Sequence, residues 1–237
     1  MNHPSIRSVD LNADLGEGFP NDREILDLVT SASLSCGAHA GDRAVILATL
    51  HEVACRNVVL GAHPGFANRD HFGRREQATS ALAVEQLVLA QVDALALLAA
   101  EVGLDLRYVK PHGALYNQAQ GQAEVAEGVL SAMVRLQLPL LGQPGSVLEA
   151  RARELGLIFV TEGFPDRRYR DDGRLVPRSE PNAVLNSTRE VEAQVLRLID
   201  DGVASLCIHG DDPRAVENAR TIRTLLERHS IVLKGFV

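Results

Sequence analysis

The chain has 237 residues, 46% of them hydrophobic and 23% charged, with a formal net charge of -7. That length suits one large α/β domain or two small ones, and the composition is that of a soluble globular protein. The acidic balance and the lack of a long basic run argue against nucleic acid and against an anionic membrane as partners, and no stretch reads as the ~20 apolar residues of a membrane span.

The residues before Ser8 lack an apolar core, so no secretory signal is expected. Cys36, Cys55 and Cys207 make no CxxC pair, which fits free thiols in a reducing cytoplasm. The first strand is expected over 9–14, delivering Asn12, Asp14 and Glu17 to its C-terminal end, with a short polar helix over 22–29. A strand over 31–36 ends in Cys36-Gly37-Ala38-His39, and Asp42 is placed to cap a helix reaching 56. A buried strand over 58–62 ends at His63-Pro64-Gly65, and residues 66–77 form a polar loop with Arg69, Asp70, His71, Arg74 and Arg75. Thr79 or Ser80 caps a long apolar helix to 102, stopped by Gly103.

An apolar strand over 106–109 then runs into Lys110-Pro111-His112-Gly113-Ala114-Leu115-Tyr116-Asn117. Pro111 has no N–H for a ladder and Gly113 permits a sharp turn, so the strand ends here. Lys110 and His112 share one side of the chain if it is still extended. A second long helix is expected over 118–136, a strand over 138–141, and a Gly-Gln-Pro-Gly turn whose following helix starts with the capping-box pair Ser146 and Glu149. Such a helix start is a weak signal for an anion. A sixth strand over 157–161 ends at Glu162, and 166–180 reads as a hairpin lid turning at Asp172-Gly173. Ser187 and Glu190 open a helix to 201. A seventh strand over 204–208 ends in His209-Gly210-Asp211, and Asp212-Pro213 starts a helix to 228. The tail over 231–237 is left to pair as a final strand or to cover a barrel floor.

Strand and helix alternate about seven times without a linker or repeat, so the helices lie outside a parallel sheet. Polar strand ends in an open sheet gather at one or two switch points. Here nearly every strand end is polar: Asp14, His39, His63, Lys110 with His112, Gln143, Glu162, and His209 with Asp211. A closed ring brings them together, so the expected fold is an irregular (β/α)7-type TIM-like barrel, one domain over 1–237. No GxGxxG follows the first strand and no Walker loop is present.

Asp14, Glu17, Glu162 and Asp211 can hold a metal, orient a histidine or act as bases. His39, His63, His112 and His209 each stand beside a strand-end glycine, whereas His3, His51, His71 and His229 read as surface residues. Imidazoles with Asp14 suit either a divalent metal or metal-free acid–base work. No HExxH spacing favours the metal. Lys110 suits a carboxylate or an oxyanion, and neighbouring acids would keep it charged rather than free for a Schiff base. Cys36, near His39, reads as a packing residue more than a nucleophile.

With these residues in place the chain resembles the LamB/YcsF family. The matching motifs are Leu11-Asn12-Ala13-Asp14-Leu15-Gly16-Glu17, Cys36 to Asp42, Gly61-Ala62-His63-Pro64-Gly65 and Phe72-Gly73-Arg74-Arg75. Lys110 to Asn117, Asp166-Arg167 with Asp172-Gly173, and His209-Gly210-Asp211 complete the set. Ala13 departs from a frequent cysteine, so a thiol there is not essential chemistry. The segment 187–205 is shorter than in many members, which bears on a surface or partner contact.

The resemblance implies a barrel similar to the glycoside hydrolase/deacetylase barrels. It implies a 5-oxoprolinase A subunit that turns 5-oxo-L-proline into L-glutamate at the expense of ATP, with Mg2+ at the level of the complex and separate B and C subunits. On that basis Asp14 and His63 activate water, His112 protonates the ring nitrogen and Lys110 neutralises carboxylate or phosphate oxygens, with Glu17 counted among the catalytic residues. Asn12, His39, Arg74, Arg75, Tyr116, Asn117, Glu162, His209 and Asp211 form the substrate-binding set. A lid around Tyr169 excludes water. One alternative is a deacetylase or amidase that needs no ATP and holds a metal on Asp14, His39 and His63. The other is a non-catalytic subunit that binds 5-oxoproline.

Overall fold

A computed structural model describes residues 7–237 other than Asp172 and Ser179. His3 and half of the Asp172-Gly173 turn therefore lie outside the described residues. The barrel strands are β1 (Ser8–Leu15), β2 (Ser31–Ser35), β3 (Val59–His63), β4 (Tyr108–Val109), β5 (Leu140–Gly142), β6 (Phe159–Gly163) and β7 (Ser205–His209). They pair in parallel in the order β2-β3-β4-β5-β6-β7-β1, and β1 pairs with β2 to close the ring. The expected seven-stranded barrel is what forms. The tail does both things open to it. Its strand β8 (Val232–Leu233) pairs with Ser8 and Val9 of β1, and Phe236 packs edge-on against Tyr108.

The helices are α1 (Asp22–Leu26), α2 (Arg43–Ala54), α3 (Ala81–Glu101), α4 (Gly113–Gly121), α5 (Ala123–Leu136), α6 (Val147–Glu154), α7 (Thr188–Asp200) and α8 (Ala215–Arg228). Asp42, Ser80, Ser146 and Ser187 cap α2, α3, α6 and α7 as expected, each side chain accepting an orphan N–H of the first turn. Glu149 accepts the Gly145 N–H, so the α6 entrance is filled from within rather than by an anion.

Three expectations change. The helix read over 118–136 is two helices: α4 starts at once after His112, and Gln122, in an extended conformation, breaks it from α5. The last helix starts at Ala215, because Asp212 accepts the Arg214 N–H and spends Pro213 and Arg214 on an opening turn. The third is α3, which at 21 residues and a mean hydropathy of 1.7 over its most apolar stretch is long and apolar enough to cross a membrane by length and composition. It lies on the outside of the barrel against α5, burying Val84, Val88, Val92 and Leu95. Each such side chain is worth about 1.5–3 kcal/mol when fully buried.

Strand periodicity sorts the side chains. Val9, Leu11, Ala13 and Leu15 of β1, Ala32 and Leu34 of β2, and Leu206 and Ile208 of β7 join the main apolar core with the helices. The alternate positions are polar and point to the barrel axis: Asp10, Asn12 and Asp14; Ser31, Ser33 and Ser35; Ser205, Cys207 and His209. Strand register stacks them in layers, pairing Asp10 with Ser205, Asn12 with Cys207, and Asp14 with His209. A polar interior must be hydrogen-bonded to be tolerable. Asp10 accepts from Thr30, Ser31 and Ser205, and Ser33 meets the Tyr108 hydroxyl at 3.0 Å. The top layer of this interior is the floor of the site.

Candidate active site

Lys110 is the pivot of the floor. Its Nζ, on a side chain 2% exposed, donates to Asp14 Oδ1 at 2.8 Å and Asn12 Oδ1 at 3.1 Å, and pairs with Glu162 Oε1 at 2.7 Å. Cys207 Sγ lies 2.9 Å away. Burial alone would push this amine down, but Asp14, Cys207 and Glu162 hold it well above the ordinary lysine value. It stays an ammonium, which removes the Schiff-base reading. Asp14 is held well below the usual carboxylate range against the opposing effect of burial, by His63, Lys110 and His209. Asn12 is fully buried, and its amide donates to Glu162 and Ser205. Asn12 and Glu162 therefore set the lysine in place from below.

A histidine cluster fills one side of the mouth. His63, at the end of β3, meets Lys110 O through Nδ1 at 2.7 Å and His112 Nδ1 through Nε2 at 2.9 Å. His112, the N-cap of α4, meets Phe72 O through Nε2 at 2.9 Å. His39 stacks on His112 with parallel rings 3.7 Å apart, and its Nε2 lies 3.0 Å from Glu17 Oε1. Space for the stack comes from two glycines. A Cβ on Gly65 would sit 3.0 Å from His39 Nδ1, and one on Gly73, at φ +66, would sit 2.8 Å from His39 Cβ. Burial, reinforced by His63, lowers His39 to about 3, and burial with His39 and His63 nearby holds His112 well below its ordinary value. Burial, with Asp14 and Asp211 nearby, holds the Glu17 carboxyl well above the usual range.

The opposite side is ionic. His209 Nδ1 bonds Asp166 Oδ2 at 2.8 Å, and its ring stacks on Phe164. Asp166 is 2% exposed; burial raises its pKa, but His209, Arg178 and Arg167 lower it further. Asp211 accepts from Arg74 at 2.6 Å and from Arg178 at 3.0 Å. Arg167 is pulled down to about 10 by burial, with Arg178 and Arg74 crowding it.

These groups surround a cavity of about 550 Å³. Asp14, His63, Lys110, His112 and His209 line its floor, Tyr116, Asn117 and Gln143 its wall, and Arg74, Arg167, Arg170, Arg174 and Arg178 its mouth. Most of the arginines come from the segment read as a lid, which is tied by antiparallel bridges between Arg167 and Val184 and between Tyr169 and Leu175. Tyr169 anchors that segment by accepting the Phe164 N–H at its hydroxyl, 2.8 Å away.

Nearly all the expected residues converge. Arg75 does not: it lies on a shallow polar hollow formed by residues 67–78, away from the cavity. His51, His71 and His229 are exposed as expected. Cys36 is pushed up to about 12 by burial and is no nucleophile. Three further participants are not evident as site residues in the sequence, Asp166, Arg178 and Cys207, and Gln143 was legible only as a polar strand end. Cys207 was findable from the alternation Ser205-x-Cys207-x-His209, and Asp166 stands in one of the family-like motifs. Gln143 Nε2 is buried without a hydrogen-bond partner among the described residues, and the buried Tyr116 hydroxyl faces the Glu162 carboxylate. Two sets of side chains are spaced to share a metal: Glu17, His39, His63 and His112, and Asp14, Cys207 and His209.

Comparison with known proteins follows the same lines. The model of the LamB/YcsF family matches residues 9–237. The chain is 41% identical to a 5-oxoprolinase A subunit, the third so numbered, of Pseudomonas syringae pv. tomato over 98% of each chain. It is 42% identical to the 5-oxoprolinase A subunit of Methylococcus capsulatus, over 95% of this chain and 94% of that one. A crystal structure of the Lactam Utilization Protein from Thermus thermophilus superposes with a TM-score of 0.88 at 39% identity, covering 97% of this chain and 100% of that one. A family 4 carbohydrate esterase from Streptomyces lividans shares the fold alone, with a TM-score of 0.54 at 11% identity over 98% of this chain and 93% of that one.

Proposed function

The chain belongs to the LamB/YcsF family, and from that premise we propose that it opens the lactam ring of 5-oxo-L-proline as the A component of an ATP-dependent 5-oxoprolinase with B and C partners. The observation that carries the reading is one cavity with a buried ammonium and a paired imidazole at its floor and arginines at its mouth. The substrate is a small carboxylate, and its phosphorylated form carries more negative charge still. Both suit that mouth.

A lactam is a resonance-stabilised amide, and phosphorylation of its oxygen makes the carbon a better electrophile. Water adds at that carbon, the nitrogen takes a proton, and the C–N bond breaks to give an amine and an acyl phosphate. A second water releases phosphate, so each turnover consumes one ATP and two waters. We assign ATP and its Mg2+ to the complex, since this chain has no Walker loop, and we place the reaction in the cytoplasm, where ATP is held.

His209 is the proton donor to the ring nitrogen in this scheme. Asp166 fixes its Nδ1 as a donor and stabilises the imidazolium, leaving Nε2 for the substrate. The sequence pointed to His112 for this role, but its two nitrogens already meet Phe72 O and His63. Lys110 stabilises the oxyanion, and Asp14, ionised beside it, accepts a proton from water. Arg74 and Arg178 hold the anionic groups, Gln143 supplies an unspent hydrogen bond to the ring or its carboxylate, and Tyr116 forms part of the cavity wall. The test is glutamate and ADP release from 5-oxoproline and ATP by this chain, by the B and C partners, and by all three. Glutamate from the full set alone supports the reading. Ring opening or acetyl release by this chain without ATP overturns it in favour of a deacetylase-like enzyme.

A further inference from the structure

His63 and His112 are each tied to the backbone through one ring nitrogen, at Lys110 O and Phe72 O. A carbonyl oxygen accepts and never donates, so those two nitrogens carry the ring protons. In the neutral rings the remaining nitrogens, His63 Nε2 and His112 Nδ1, are bare lone pairs, and they face each other at 2.9 Å. Two lone pairs so placed repel unless a proton or a metal ion lies between them. Two carboxylate oxygens approach the same place: Glu17 Oε1 is 3.5 Å from His112 Nδ1, and Asp14 Oδ2 is 3.5 Å from His63 Nε2. Ligand atoms about 2.0–2.2 Å from an ion stand roughly 3.3–3.6 Å apart at a tetrahedral angle and about 2.8–3.1 Å apart at a right angle, so the 3.5 Å carboxylate contacts and the 2.9 Å ring contact together fit a five- or six-coordinate ion. The two carbonyls are outer partners of the kind that fix the tautomer of a metal-bound imidazole.

We infer that Glu17, His63 and His112, with Asp14 beside them, bind one divalent cation that favours mixed nitrogen and oxygen ligands, such as Zn2+ or Co2+. The site deepens the function proposed above and rests on it for its place in the reaction, though not for its existence. His39 is not a ligand. Its ring is parallel to that of His112 within 1°, and an imidazole lone pair lies in the ring plane, so the two rings do not aim at one ion. His39 Nε2 orients Glu17 instead, at 3.0 Å from Oε1. The set therefore replaces the Asp14, His39 and His63 expected from the sequence by bringing in His112 and Glu17 for His39.

The experiment is a titration of the chelator-treated chain with Co2+, followed by visible absorption and calorimetry. One Co2+ per chain is expected. Glu17→Gln, His63→Gln and His112→Gln should each weaken binding by more than about 100-fold, beyond what an outer partner costs. His39→Asn should lose no more than that and keep the absorption band in place. Circular dichroism identifies any variant that fails to fold, and Glu17→Gln, which is isosteric, then carries the test. Wild-type protein that binds neither Co2+ nor Zn2+, or a folded Glu17→Gln that binds as tightly as wild type, overturns the site. Glutamate formation by the reconstituted enzyme is measured on the same samples. A chain that binds Co2+ yet supports no glutamate formation defeats the functional reading and leaves the site standing. Glutamate formed by a chain that binds no ion defeats the site alone.

Discussion

The two sides of the cavity handle burial in opposite ways. Around His39, His63 and His112 the protein buries titratable groups and pushes two of the rings toward neutrality, with Glu17 beside them shifted toward its protonated form. Around Lys110 and Asp166 it buries groups just as deeply, and Asp211 in part, but keeps them charged by giving each an opposite partner. The difference lies in what surrounds each group. Lys110 reaches two carboxylates within 3 Å, whereas the His39 ring has another imidazole against its face. A neutral side can accept a cation or a proton. An ion-paired side can hold an anion and deliver a proton to it.

The comparison breaks hardest at Lys110. Lys110→Met leaves Asp14 and Glu162 buried without their cation, and denaturant unfolding should show a loss of about 3–5 kcal/mol. Adding Glu162→Gln should give part of it back, because one stranded charge is removed; an additive further loss would contradict the pairing. On the same side, Asp166→Asn should slow glutamate formation by about 100-fold with little change in melting temperature, the size expected for a mispositioned acid.

The histidine side is best probed by pH in chelator-treated protein. His39 and His112 bind protons more weakly folded than unfolded, so the unfolded chain takes up protons first as pH falls below about 6.5. Each ring then costs about 1.4 kcal/mol per pH unit down to its folded value, near 3 for His39. Glu17, shifted upward, opposes this: its contribution is present at low pH and is lost as pH rises above about 4.5. Asp166 and Asp211, shifted downward, withdraw their support only below about 3.8. Stability measured from pH 7 to pH 5 should therefore fall, and fall more steeply in Glu17→Gln. Asp10 and Asp22, also raised by burial, act in the same sense as Glu17, so a profile that stays flat in Glu17→Gln is the result that counts against neutral rings. The smallest effects belong to the rim. Arg74→Ala should raise KM about tenfold with kcat little changed, since one cation is lost from the mouth. Arg75→Ala, on the outer hollow, should change neither by more than about twofold.

Much of this was legible in the chain. Polar residues at strand ends implied a closed ring, and the ring put Asp14, His63, Lys110, His112 and His209 on one cavity. What stayed hidden has physical causes. The polar interior was written in the alternation of Asp10, Asn12 and Asp14 and of Ser31, Ser33 and Ser35, but a run buried on both faces does not say which face is the axis. Asp166 sits three residues beyond its strand, and its role is fixed by His209, 43 positions away in sequence. Lys110 and His112 do not act as one pair: Pro111 ends the strand between them, and His112 becomes a helix cap facing His63. Arg74 and Arg75 are neighbours in the chain, yet the turn after Gly73 sends one to Asp211 and the other outward.

The measurement to make replaces His209 by Asn in the chain, combines it with the B and C subunits, and follows glutamate from 5-oxoproline and ATP. A proton donor at this position requires a fall in kcat of about 100-fold or more, with the melting temperature kept within a few degrees of wild type. Glutamate formation within about twofold of wild type, from a folded variant, would contradict the assignment of ring opening to this cavity.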